Sequence, residues 1–313
     1  MLHCGGKYGK MRKKGNEVRC MTVNEKAFAK LNYSLDVHAK RPDGYHDLTM
    51  VMGSVSLWDD VSVSLRSDGR IEAVCSLPWL PRDERNLAVR AARVFFDALG
   101  ETTLGADIHI HKRVPVGAGM AGGSTDAAAA LRALNRLTGA GFSAEELRSL
   151  ALSVGSDVPY CVTGGMMLAE GRGEILTPLP ELPGGWIVIC KPAFSVSTAE
   201  LFARIDKRRI TTHPDTQGLC AALRAGDLRG AARRIYNVFE EALPRSSAAI
   251  GAIRGALLDA GALGAVMTGT GSAVFGIFEE KAAAAAARER LSRSYRECFL
   301  VRGENAVCLP EKS

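Results

Sequence analysis

Between Pro115 and Leu131 the chain reads PVGAGMAGGSTDAAAAL, and this stretch constrains the fold more than any other. Four glycines (Gly117, Gly119, Gly122, Gly123) fall within seven residues, Ser124, Thr125 and Asp126 follow, and an alanine-rich run begins. Glycine tolerates positive φ and lets a backbone come close to a ligand. Successive N–H groups in such a loop can converge on an anion, and the helix after it offers unpaired N–H groups and the positive end of its dipole. The pattern predicts a helix from Asp126 onward, with Ser124 or Thr125 as its cap. Two readings stay open here: a phosphate cradle, or a glycine-rich turn ahead of an ordinary helix. No lysine follows the last glycine as in a P-loop. Gly117–Gly122 does spell G-A-G-M-A-G, but no acidic ribose partner follows at the end of a next strand.

At 313 residues, with 47% apolar and 24% charged residues, the composition is that of a soluble globular protein of about two domains. The formal charge of +6 invites a nucleic-acid reading, yet residues 1–20 hold six Lys and Arg against Glu17, a net +5, and leave only +1 for the rest. The fold is expected to begin near Met21, behind a disordered basic tail, with an arm touching nucleic acid as the alternative. The tail lacks the apolar core of a secretory signal. Eight cysteines without a C-x-x-C pair indicate a reduced, cytosolic protein rather than a disulfide framework or zinc site. His109 and His111 share a strand face without a third ligand in view. Ala260–Phe278 is uncharged for 19 residues, but five glycines, Thr268, Thr270 and Ser272 make it a strand–turn–strand rather than a membrane span.

Along the chain, 26–38, 48–57, 61–65 and 107–112 read as strands. Residues 86–99 have helical apolar spacing and stop at Gly100, and Ser143 with Glu146 opens a capped helix that ends at Gly155. Pro178-Leu179-Pro180 marks a boundary between domains at 21–178 and 179–313. In the second half, strands at 186–190 and 298–301, helices at 217–234, 246–260 and 280–292, and a hairpin around 268–271 predict an antiparallel sheet with helices on one side. The fold class is α+β.

Single residues carry chemistry only in combination. Lys30 and Asn32 are two apart on a strand and share a face. Tyr45 and His46 close the turn Arg41-Pro42-Asp43-Gly44-Tyr45-His46. Asp157 sits in a bend beside the apolar run Tyr160–Val162, where a carboxylate is costly unless paired; it is either a structural cap or a functional group.

Proline, glycine loop, Ser/Thr and alanine helix together resemble the second motif of the GHMP small-molecule kinases. Ala29-Lys30-Leu31-Asn32, the Arg41–His46 block, Ser156-Asp157-Val158-Pro159 and Thr268–Phe275 resemble, in order, the motifs of one branch, the 4-diphosphocytidyl-2-C-methyl-D-erythritol kinases. The resemblance implies a two-domain GHMP fold. It implies ATP-dependent phosphorylation of the 2-hydroxyl of that cytidylyl polyol, in the non-mevalonate isoprenoid pathway, with Mg2+ expected and neither nucleic acid nor membrane as partner. Asp157 would be the general base, and Lys30 beside it would favour the carboxylate and stabilise developing charge. Asn32 would hold the substrate or the base. Tyr45 and His46 would recognise cytosine, with Phe202 as the opposite stacking face. Asn86 and Lys112 would border adenine. Pro115, Val116, Gly117, Ala118, Gly119, Met120, Ala121, Gly122, Gly123, Ser124 and Thr125 would hold the ATP phosphates. Two departures stand out. Ala121 replaces a glycine of the usual run, a difficulty if positive φ is needed there. Ser156 replaces the usual alanine before the aspartate.

Overall fold

The computed structural model describes residues 21–208 and 210–307; the expected basic tail 1–20 lies outside the described residues, as do Cys4, Cys20 and Cys308. β1 (Thr22–Lys40) and β2 (His46–Arg66) pair antiparallel over most of their length. β2 is one continuous strand where two were expected. The polar Trp58-Asp59-Asp60 segment does not interrupt it, because the buried Asp59 carboxylate accepts hydrogen bonds from the Lys112 ammonium and from the N–H groups of Arg113 and Val114. A paired buried carboxylate is tolerated where an unpaired one is not.

β3 (Ile71–Cys75), α1 (Leu87–Leu99), β4 (Gly105–His111), α2 (Gly122–Thr138), α3 (Ala144–Val154), α4 (Val158–Thr163), β5 (Met167–Gly171) and β6 (Ile175–Pro178) complete the first half. β4 pairs antiparallel with the second part of β2 and parallel with β3, while β5 lies on Leu48–Met52 of β2. Along β4, Ile108 and Ile110 face the core while His109 and His111 face solvent. α1 forms as its spacing predicts: the Asn86 side chain caps it through Ala88 N, Gly100 closes it in the left-handed region, and Val89, Ala92, Phe95 and Phe96 are buried. Each such phenylalanine contributes about 2–3 kcal/mol by leaving water. α3 has the expected capping box; Gly155 ends it in extended backbone (φ 176) rather than in a left-handed turn.

α2 starts earlier than expected. Its N-cap is Ala121, in the left-handed region (φ 57), with no side-chain cap; Ser124 and Thr125 lie inside the first turn. The Thr125 hydroxyl donates back to the Gly122 carbonyl at 2.9 Å. Positive φ at Ala121 turns the chain from loop into helix, so the hydroxyls are not needed for that purpose.

The second half comprises β7 (Trp186–Lys191), α5 (Thr198–Ile205), α6 (Thr216–Arg224), α7 (Leu228–Ala232), β8 (Tyr236–Asn237), α8 (Ala248–Asp259), β9 (Gly264–Met267), β10 (Val274–Phe278), α9 (Lys281–Ser292), β11 (Glu297–Val301) and β12 (Gly303–Glu304). The expected helix 217–234 is two helices, because Gly226 takes positive φ (68) and Asp227 caps a new start. The second sheet is antiparallel in the order β11-β7-β10-β9. On one face Val188, Cys190, Val274 and Phe278 join the cluster that holds Ile253 and Leu257 of α8 and Ala287 of α9. On the other, Ile187, Ile189, Phe275 and Ile277 join Leu31, Tyr33 and Val51 of the first sheet and Leu219 and Leu223 of α6. Tyr33 meets Phe275 edge-on at 5.4 Å. The late chain also returns to the first sheet, β8 parallel to β1 at Ser34–Leu35 and β12 on Ser54–Val55 of β2. The β12 contact lies on the edge of β2 away from β1, in the gap between the stretches that pair with β5 and with β4.

Candidate active site

The glycine loop is shaped by the turn it meets. Gly117 and Gly119 both take positive φ (63 and 74), and a Cβ on Gly119 would overlap the Thr268 carbonyl oxygen. The Thr268 hydroxyl bridges the two loops: it accepts from Asn32 N at 3.0 Å and donates to the Gly119 carbonyl at 3.3 Å, while Ala273 N donates to Ala118 O at 3.2 Å. Glycine is therefore required here for close backbone approach as well as for its φ. Asn237 on β8 holds the far side, donating to the carbonyls of Met267 and Gly269.

Beside this paired loop runs a cleft of about 600 Å³, lined from Asn86 and Lys112 past Pro115–Ser124, Lys30 and Asp157 to Tyr45, His46 and Phe202. The residues singled out in sequence are thus largely brought to one place. At the centre, Lys30 Nζ lies 3.8 Å from Asp157 Oδ2 and donates to Asn32 Oδ1 at 2.6 Å. Asp157 occupies the N-cap position of α4 but makes no side-chain cap, so its carboxylate stays free for chemistry. Asn32 is fully buried and does not line the cleft. Its side-chain oxygen accepts from Lys30, and its amide N–H points to Met50 Sδ at 3.4 Å.

At one end Asn86 and Lys112 have structural partners. Asn86 caps α1 and donates to Pro81 O at 2.9 Å. The Lys112 ammonium is shared by the buried carboxylates of Asp59 and Asp126, the latter at 2.8 Å. Burial pushes the Asp126 carboxyl up to about 7, with Lys112 pulling it down and the neighbouring Asp59 charge adding to the rise. This cluster pins the strand β2, the entry to the loop and the N-terminal part of α2 to one another.

At the other end the His46 ring stacks on Phe202, centroids 4.9 Å apart and planes 22° from parallel, and Phe202 in turn meets Phe239 edge-on. His46 Nε2 is 2.6 Å from Asp206 Oδ1. Lys40 and His46 hydrogen-bond to that exposed carboxylate and lower its pKa. Phe202 is therefore in direct contact with His46, not across a gap from it. Tyr45 stands out from the surface, 49% exposed, with the Arg172 guanidinium 3.8 Å from its ring centroid.

Sequence reasoning missed Asp59, Asp206 and Arg172. A carboxylate within an apolar strand is a signal that Asp59 has a cation nearby, but nothing in the spacing names Lys112. Arg172 lies on the turn between β5 and β6, and no motif marks it in the sequence.

Known proteins share this sequence pattern and fold. Residues 86–165 match the family described as GHMP kinases N terminal domain, and residues 219–297 match GHMP kinases C terminal. These matches and the two-sheet architecture define a GHMP kinase. A 4-diphosphocytidyl-2-C-methyl-D-erythritol kinase of Syntrophomonas wolfei is 43% identical over 276 residues, 88% of this chain and 96% of its own. One of Alkaliphilus metalliredigens is 39% identical over 279 residues, covering 89% and 96%. The crystal structure of a 4-(cytidine 5'-diphospho)-2C-methyl-D-erythritol kinase superposes with a TM-score of 0.75 at 32% identity, covering 89% of this chain and 98% of that one. The chain belongs to the 4-diphosphocytidyl-2-C-methyl-D-erythritol kinase family of the GHMP superfamily. Among the described residues no helix is long and apolar enough to cross a membrane; Ala260–Phe278 forms β9, a turn and β10 as expected.

Proposed function

We propose that this protein phosphorylates the 2-hydroxyl of 4-diphosphocytidyl-2-C-methyl-D-erythritol with ATP; its relatives are named as kinases of that compound. The observation that carries this reading is the position of the Lys30–Asp157 pair, between a glycine cradle and an aromatic end in one cleft. The loop 115–125 would hold the triphosphate against the N-terminus of α2, where backbone N–H groups and the dipole favour negative charge. Tyr45 and His46 would take the cytosine, with Phe202 acting through the His46 stack. Residues 21–178 would form the ATP-binding and catalytic domain, and 179–313 would close the site through the 268–271 turn.

Phosphoryl transfer depends on positioning and charge stabilisation more than on covalent help. The free Asp157 carboxylate would take the proton from the attacking hydroxyl, and Lys30 beside it would offset negative charge in the transition state. Asn32 fixes the ammonium by its 2.6 Å hydrogen bond. Mg2+ usually keeps several waters and binds through substrate phosphates and one or two carboxylates rather than in an all-protein cage. This cleft fits that mode: among the described residues no cluster of three His, Cys, Asp or Glu could hold a metal alone, and the Ser124 hydroxyl has no protein partner, whereas that of Thr125 is used. Ser124 would be the oxygen that meets the ion, which supplies charge neutralisation to the phosphates.

A coupled ADP-release assay with ATP and Mg2+ tests the reading. Turnover with the cytidylyl polyol, and none with homoserine or mevalonate, is the expected result. Turnover of another alcohol with none of the cytidylyl polyol would overturn it.

A further inference from the structure

Among the described residues lining the cleft, Lys30, Arg85, Lys112 and Arg172 carry permanent positive charge. Three of these charges are already matched: Lys30 by Asp157, Arg85 by a bidentate contact with Asp83, and Lys112 by Asp59 and Asp126. Arg172 differs. Its guanidinium lies over the Tyr45 ring, its Nε is buried without a hydrogen-bond partner, and the Glu174 carboxylate beside it accepts instead from the Arg172 backbone N–H at 2.6 Å. Guanidinium is well suited to such a place, since its plane stacks on an aromatic face while its edge donates in a fork.

The position of Arg172 along the cleft identifies what that edge would meet. It sits on the turn between β5 and β6, and a Cβ on the next residue, Gly173, would lie 3.9 Å from the Ser156 carbonyl oxygen, next to Asp157. Arg172 thus stands between the aromatic end and the reacting end. In a nucleoside diphosphate linked to an alcohol, the groups between base and reacting hydroxyl are the ribose and the diphosphate.

We propose that Arg172 binds the diphosphate of the acceptor, using Tyr45 as the platform that holds its plane; this rests on the acceptor reading above. Arg172 is then a specificity residue that separates nucleoside-diphosphate alcohols from uncharged ones.

Calorimetric titration of the full chain with cytidine and with CDP, in the presence of a saturating non-hydrolysable ATP analogue, tests this. The wild type should bind CDP more tightly than cytidine. Arg172→Gln should weaken CDP about 10–100-fold, as loss of charge-assisted hydrogen bonds does, and leave cytidine within about threefold. Arg172→Lys, which keeps charge but not the fork, should recover part of the loss. An equal weakening of cytidine and CDP would overturn the proposal by showing that Arg172 only props Tyr45, and no change in either would overturn it outright. Failure of the wild type to bind either ligand would overturn the acceptor reading and the proposal with it.

Discussion

Lys30 Nζ lies 3.8 Å from Asp157 Oδ2, and the two partners differ in exposure: 5% for the lysine side chain and 38% for the aspartate. The lysine is delivered from inside the first sheet, held by Asn32 and by a hydrogen bond from its own N–H to Met120 O at 3.2 Å. That second contact ties the lysine directly to the glycine loop. The aspartate is delivered from the N-cap of a short helix whose apolar residues Val158, Pro159, Tyr160 and Val162 are buried. A rigid cation beside a solvent-reachable carboxylate is an arrangement in which the carboxylate can meet a substrate.

Tyr45→Ala should raise KM for the cytidylyl substrate about 10–100-fold, the range for losing an aromatic stacking face, and change KM for ATP by less than about twofold. Steady-state kinetics with each substrate varied in turn gives both numbers. Equal effects on the two would show that Tyr45 does not belong to a nucleobase site.

Ala121 bears a Cβ in the left-handed region, which costs an L-residue roughly 1–2 kcal/mol. Ala121→Gly removes that cost but loosens the unfolded chain by about 0.4–1 kcal/mol. The net expectation is a stabilisation of up to about 1.6 kcal/mol, read as a higher denaturant midpoint with an unchanged slope. A lower midpoint would mean that the alanine methyl supports the loop by packing.

Asp126 links stability to pH. Its folded-state carboxyl, at about 7, lies above the ordinary 3.8, so its contribution is fully present below pH about 4 and is lost as pH rises through about 7. Asp126→Asn cannot ionise. Its stability relative to wild type should therefore improve from about pH 4.5 to about pH 8, measured by urea unfolding at each pH. A difference that stays constant across this window would contradict the assignment.

Local chemistry was legible in the sequence and long-range pairing was not. The Gly100 stop, the Ser143–Glu146 box and the hairpin at 268–271 were readable because each is decided within a few residues. The start of α2 was misplaced because Ser124 and Thr125 look like caps, whereas the tertiary contact of Gly119 with Thr268 sets the loop and leaves Ala121 to make the turn. Asn32 shares a strand face with Lys30, as the two-residue spacing required, but only the fold shows it serving the lysine. Lys112 looked like a ligand-facing cation, and its two carboxylates come from β2 and from α2. Short-range spacing cannot encode such a partnership. His46 and Phe202 were both named, yet their direct stack depends on where α5 packs.

The central claim is that Asp157 is a required base in a site that binds ATP independently of it. Single-turnover phosphoryl transfer by Asp157→Asn, measured alongside the equilibrium affinity for ATP, tests it most directly. The expected result is a rate lower by about 10²–10⁴-fold with ATP affinity within about threefold of wild type. A rate within about tenfold of wild type would contradict it, and would make Asp157 a positioning group rather than the base.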